Sequence, residues 1–259
     1  MTSEREFLTL PDGQRLECAR MAGTRRGPTL VLLHEGLGCV ALWKDFPARL
    51  ASATGLGVFA WSRAGYGGSS PVSLPRPLDF HAREALSTLG PLLDAAGIDD
   101  CVLVGHSDGA SIALVYAGRV DDPRVRGVVV MAPHVLTEDK TLATIAEADR
   151  AFRAGGLRER LARYHGDNVD CAFRGWCDAW LDPGFRSWSI EDSVAAIRVP
   201  LLCIRGNDDP YNTVVHAERI AALAAGLVRR VDLADCGHAP HADQPQRVVA
   251  AMTGFVRTL

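Results

Sequence analysis

The chain lacks the marks of several protein classes. No stretch approaches the roughly 20 consecutive apolar residues that a membrane-spanning helix needs. The opening "MTSEREFLTL" is charged and has no long apolar core. It does not read as a secretory signal, and the cytoplasm is the expected compartment. Neither sign of charge dominates: 28 Lys and Arg stand against 31 Asp and Glu, a net charge of −3. That balance gives no electrostatic reason to expect a nucleic acid or an anionic membrane as a partner. The seven cysteines contain no Cys-x-x-Cys pair, and their odd number and wide spacing argue against a disulfide framework and for a reducing compartment. Cys171 and Cys177, the closest pair, are not at zinc-knuckle spacing and read as small buried apolar residues. No metal is expected. Internal repeats and low-complexity tracts are absent as well.

What is present is an ordinary globular composition, 47% hydrophobic over 259 residues. That length suits one α/β domain with an insertion and is enough to bury a large core. "EREFLTL" and "RLECARMAG" alternate around Pro-Asp-Gly and read as a hairpin. Short continuous apolar runs follow in "TLVLLHEG", "GLGVFAWS", "DCVLVGHS", "RVRGVVVMAP" and "PLLCIRG", with a last strand in "LVRRVDLA". Such runs fit strands buried on both faces of a parallel sheet. Helical patterns lie between them: "LWKDFPARLAS", "FHAREALSTLGPLLDAAG" with Asp79 as its cap and Gly97 at its end, "DGASIALVYAGR", "VVHAERIAALAAG" and "QRVVAAMTGFVRTL". The fold class expected is therefore α/β, a mostly parallel central sheet with helices on both faces. The alternation breaks for roughly sixty residues, far more than an ordinary connection. Residues 134–198 are expected to form a helical cap, and 1–133 with 199–259 the core domain. The cap holds Trp176, Trp180 and Trp188.

Ligands of such sheets bind at the carboxyl ends of the strands. There, "GHSDG" places Ser107 between Gly105 and Gly109 at a strand-to-helix junction. The glycines let strand and helix approach closely, and the serine oxygen projects near the positive end of the following helix. A serine nucleophile needs a base, and the base needs an orienting acid. His238 in "DCGHAP" follows the last strand, and Asp208 and Asp209 in "RGNDDP" follow the strand after the cap. His238 follows Gly237, whose freedom lets the loop turn the ring toward the serine, whereas His241 follows Pro240 and is expected at or beyond the lip. Position does not choose between the two aspartates. An oxyanion hole needs two backbone N–H groups. Asp108 and Gly36, in the loop "LLHEGLG", are the candidates, with His34 holding that loop by hydrogen bonds.

With these pieces in place the chain resembles the α/β-hydrolase superfamily, from about Phe7 to Phe255. The resemblance rests on "LLHEGLG", "SRAGYGGS", "VLVGHSDGAS", "LLCIRGNDD" and "DCGHAPHADQP". The family's Gly-x-x-Asp, counted from Gly206, selects Asp209, and its Gly-His pair selects His238. The donor two residues after the loop histidine corresponds to Gly36. The sequence departs from the family in two places, with Glu35 where relatives have Gly and Asp108 after the serine. The Ser-Asp-Gly elbow is similar to that of valacyclovir hydrolase-like proteins, a group in which this aspartate contacts the substrate's amino group.

These residues imply a serine hydrolase that cleaves a small carboxylic ester through an acyl-enzyme, with no cofactor. Lactone, thioester, amide or C–C bond hydrolysis would use the same triad, and a non-catalytic small-molecule receptor can keep it. Glu35 and Asp108 favour a neutral or amine-bearing substrate by Coulomb terms. The alternative is that each is a paired structural carboxylate, with Arg63 the candidate partner of Glu35. Trp176 and Trp180 favour a partly apolar substrate. Epoxide hydrolases and dehalogenases use an aspartate nucleophile in this fold. Asp108 does not fit that role, because its neighbours two residues away are His106 and Ala110 rather than glycines. Oligomeric state is not legible.

Overall fold

The computed structural model describes residues 4–259, so the first three residues of the expected core domain lie outside it. The strands are β1 (Glu4–Thr9), β2 (Arg15–Met21), β3 (Thr29–Leu33), β4 (Val58–Trp61), β5 (Cys101–His106), β6 (Val125–Met131), β7 (Leu201–Gly206) and β8 (Val228–Leu233). They form one sheet in the order β1-β2-β4-β3-β5-β6-β7-β8. The opening hairpin is antiparallel and joins β4 antiparallel, and every later pairing is parallel.

Alternation along the central strands builds two cores. Val31, Leu33, Leu103, Val128, Val130 and Cys203 face one side, where the helices Asp108–Arg119 and Val215–Leu223 pack. Leu30, Leu32, Val102, Val104, Val129 and Ile204 face the other, under the helices Phe46–Thr54 and Pro245–Val256. This explains why the strands read as unbroken apolar runs: both faces are covered. Each fully buried Leu, Ile or Val in these layers contributes about 1.5–3 kcal/mol.

The helix ending at Gly97 is one continuous rod, Phe80–Arg83, Glu84–Leu89 and Gly90–Ala96, with a π-helical middle. Gly97 closes it at φ 62, the left-handed conformation that glycine adopts without penalty. Asp79 does not cap it. Its carboxylate instead accepts from Arg83 Nε at 2.7 Å, one turn on, and the first N–H, that of Phe80, is taken by the Pro77 carbonyl at 3.1 Å. Trp43 also departs from expectation, lying in a 3₁₀ turn (Val40–Trp43) ahead of the helix it was assigned to.

Between β6 and β7 run the helices Asp139–Arg153, Gly156–His165, Val169–Leu181 and Glu191–Ala195. The first three share a separate apolar cluster containing Ile145, Phe152, Phe173, Trp176 and Trp180, so this insertion has a core of its own. Cys177 is buried there, while Cys171 is half-buried and donates its thiol to the Val72 carbonyl. Among the described residues, no helix is long and apolar enough to cross a membrane.

Candidate active site

Ser107 stands between the end of β5 and the helix Asp108–Arg119, with φ 52 and ψ −117. A non-glycine residue rarely holds that conformation, and such strain persists only where the surroundings impose it. They do so here. A Cβ at Gly105 would run into the backbone of Ala110, and one at Gly109 into the carbonyl of Leu33. The Ser107 N–H is tied to the Met131 carbonyl at 2.9 Å.

The other expected residues converge on that serine. His238 Nε2 lies 2.9 Å from Ser107 Oγ. His238 Nδ1 lies 2.9 and 2.8 Å from the two Asp209 oxygens. A carboxylate only accepts, so Nδ1 carries the proton, and in the neutral ring Nε2 is then the acceptor for the serine hydroxyl. Asp209 is buried, and its Oδ1 also accepts from the N–H groups of Tyr211 and Asn212 at 2.8 and 3.3 Å. Burial works to raise the Asp209 carboxyl, but the His238 hydrogen bond and charge, the Tyr211 N–H and His134 outweigh it and leave it below the ordinary value. Asp208 lies on the surface side of the turn, exposed, with its N–H bound to Cys236 O. His241 is not at the lip. It packs against Trp43, Phe46 and His106, with ring centroids 4.9, 5.3 and 4.8 Å away. Burial, the charge of His106 and that of His238 lower its pKa to about 3 against the pull of Glu35.

Gly36 and Asp108 line the same cavity as Ser107, and among the described residues neither N–H has a protein acceptor. His34 holds the loop as expected: Nδ1 donates to Glu35 O at 2.7 Å and Nε2 accepts from the Arg63 N–H at 3.0 Å. Arg63 does not pair with the Glu35 carboxylate. Its Nη2 donates to the Glu35 backbone carbonyl at 2.8 Å. The Glu35 carboxylate instead lies 3.6 Å from His106 Nδ1. Burial pushes that carboxyl up, but the nearby His106, with His34 and His241, holds it well below the usual range.

The Asp108 side chain is almost wholly buried, at 1% exposure. Its Oδ1 accepts from Trp180 Nε1 at 3.2 Å and lies 3.2 Å from His81 Nε2, while Oδ2 has no partner. Burial raises this carboxyl, and the nearby His81, then Arg63 and His134, bring it down to about 2. Trp176 and Trp180 both line the cavity, which measures about 250 Å³ and is walled further by Leu37, Ile145 and Tyr211.

Two participants escape the sequence reading. His106 Nε2 lies 2.7 Å from the His238 carbonyl, so it carries a proton and pins the loop that presents His238. Tyr211 lays its ring 4.5 Å from that of His238. The signal for His106 was its place beside Ser107; nothing local marked Tyr211.

A model of the alpha/beta hydrolase family matches residues 30–251. The chain belongs to the alpha/beta hydrolase family. Among curated relatives, epoxide hydrolase 3 of Xenopus tropicalis is 32% identical over 114 residues, 44% of this chain and 30% of that one. Across the first curated relatives matched, the chain spans between 13% and 35% of their length. The 3-oxoadipate enol-lactonase 1 of Acinetobacter baylyi is 24% identical over 190 residues, covering 65% of this chain and 68% of that one. An esterase of Exiguobacterium antarcticum shares the fold with a TM-score of 0.78 at 18% identity, over 98% of this chain and 100% of that one.

Proposed function

We propose that this alpha/beta hydrolase is a serine hydrolase that cleaves a small carboxylic ester through an acyl-enzyme. The supporting observation is the unbroken hydrogen-bond chain from Asp209 through His238 to the oxygen of a strained serine at a cavity wall. Ser107 Oγ attacks the acyl carbon while His238 Nε2 takes its proton, and Asp209 keeps the imidazole in the required tautomer and stabilises its charged form. The tetrahedral oxyanion is received by the N–H groups of Gly36 and Asp108. His238 then returns the proton to the leaving alcohol and activates water for deacylation.

Some relatives are epoxide hydrolases, yet it is Ser107 that His238 touches, whereas the Asp108 carboxylate is engaged by Trp180 and flanked by His81. That arrangement favours serine over aspartate as nucleophile. Residues 134–198 act in this reading as the cap, and Trp176, Trp180, Leu37 and Ile145 give the cavity an apolar wall for a small, partly apolar substrate. Glu35 and Asp108 add negative charge beside it, which favours neutral or amine-bearing substrates. Lactone opening is the second reading, supported by the match to an enol-lactonase over 65% of the chain, and it uses the same residues in the same roles.

A fluorophosphonate probe tests the proposal. The protein takes up one label and hydrolyses p-nitrophenyl acetate, and Ser107→Ala loses both. Full turnover by Ser107→Ala sinks the serine mechanism. Labelling without turnover of any ester or lactone makes the protein a binding module with an activated serine.

A further inference from the structure

Trp176 and Trp180 stand one turn apart on the helix Val169–Leu181, so they share a face. Each meets one of the two residues assigned to the oxyanion hole. The Trp176 indole lies so close to Gly36 that a Cβ there would fall under 3.0 Å from its nitrogen, Cδ1 and Cε2. Trp180 Nε1 donates to Asp108 Oδ1 at 3.2 Å. The two N–H donors belong to separate elements, Gly36 to the loop after β3 and Asp108 to the first turn after Ser107. This one helix face meets both.

We propose that Trp176 and Trp180 are positioning residues that set the separation of the Gly36 and Asp108 N–H groups, so that the cap helix takes part in stabilising the transition state. The proposal rests on the serine-hydrolase reading. Oxyanion donors work only when they lie about 2.7–3.1 Å from the developing charge, so the two N–H groups need a rigid common reference. The tryptophan side chains provide one. Trp180 is clamped by Phe185, His134 and Trp188 at ring separations of 4.7, 5.2 and 5.5 Å. Trp176 is held edge-on by Phe173 at 5.9 Å. The Trp180–Asp108 bond is charge-assisted, since the buried carboxylate is ionised, and it is correspondingly stronger than a neutral one. Gly36 is glycine because the indole occupies the space of any side chain, and Asp108 carries a carboxylate to meet the indole N–H. This gives the departure from the family pattern at Asp108 a structural use.

The test is Trp180→Phe, which keeps a ring and removes the N–H. It lowers kcat for p-nitrophenyl acetate about tenfold with KM within about twofold, less than the roughly 10²–10³ lost when an oxyanion donor is deleted. The inhibition constant of phenylboronic acid, which forms a tetrahedral adduct on Ser107, rises by the same factor of about ten. In an Asp108→Ala background Trp180→Phe has no further effect, because both act through one bond. Leu161→Ala thins the same apolar cluster from the helix Gly156–His165 and leaves the rings that hold Trp176 and Trp180 in place. It lowers Tm and leaves kcat in place. An unchanged kcat and boronate affinity in Trp180→Phe overturns the proposal, as does an equal loss of kcat in Leu161→Ala or an additive double variant. Wild-type protein that takes up no fluorophosphonate defeats the serine-hydrolase reading itself. Labelled wild type with an indifferent Trp180→Phe defeats only the positioning role.

Discussion

Replacing Asp108 by Asn separates the charge of this residue from its shape. The amide oxygen still accepts from Trp180 Nε1, and the volume is nearly the same, but the negative charge beside His81 is gone. The size of the effect follows from linkage. The carboxyl is held at about 2 in the folded chain against 3.8 when unperturbed. That depression of nearly two pH units, at about 1.36 kcal/mol per unit, makes the ionised form worth roughly 2 kcal/mol to the folded state. The residue is 1% exposed, so solvent screening takes little from that figure. Because the folded value is depressed, the stabilisation is complete above the unfolded value and is lost as pH falls toward 2. Urea unfolding followed by tryptophan fluorescence at pH 7, 5 and 3 measures it. Asp108→Asn is less stable by about 2 kcal/mol at pH 7; the gap is nearly whole at pH 5 and about half closed at pH 3. A gap that stays constant across the three pH values, or no gap at pH 7, refutes an ionised Asp108 stabilised by its histidine and arginine neighbours.

Asp209→Asn presents an amide to His238 Nδ1 and favours the wrong tautomer, so kcat on p-nitrophenyl acetate drops about 10⁴-fold while the fold is retained; a loss under about tenfold denies Asp209 the orienting role. In a series of esters with amino, neutral and carboxylate substituents, the carboxylate version is the poorest. One added charge about 6 Å from a like charge at an effective dielectric near 20 costs about 3 kcal/mol, which is about a hundredfold in kcat/KM, and a carboxylate ester that ranks first reverses the assignment of Glu35 and Asp108.

The residues proposed to bear the chemistry were legible because each stands at the end of a strand beside a local marker. Ser107 has its glycines, His238 has Gly237, and Asp209 falls at the family's spacing from Gly206. Apolar runs covered on both faces made the sheet equally plain. What stayed hidden is non-local. Asp108 meets Trp180 from 72 positions away, and His106 meets the His238 carbonyl across 132, so no window of sequence shows either pairing. Asp79 carried a cap residue's identity, but a salt bridge to Arg83 claimed its side chain. Arg63 was a sensible partner for Glu35 by charge alone. Its guanidinium reaches the carbonyl of that residue instead, and the carboxylate turns toward His106.

Those pairings resolve what otherwise looks like a contradiction in the proposed mechanism, two carboxylates next to a site assigned to accept a developing oxyanion. Charge matters through where it points and what stands beside it. The Asp108 carboxylate is directed at Trp180 Nε1 with His81 beside it, and the Glu35 carboxylate lies nearest His106. The buried Arg63 guanidinium also lowers the Asp108 carboxyl and grips the Glu35 carbonyl. The Asp108 carboxylate thus faces a donor, while among the described residues the backbone N–H groups of Gly36 and Asp108 have no protein acceptor. A neutral reaction centre meets two free N–H donors, and a substrate carboxylate meets the two side chains. In the proposed reaction the same pair of residues therefore tolerates negative charge that develops at the acyl oxygen and rejects negative charge the substrate brings with it.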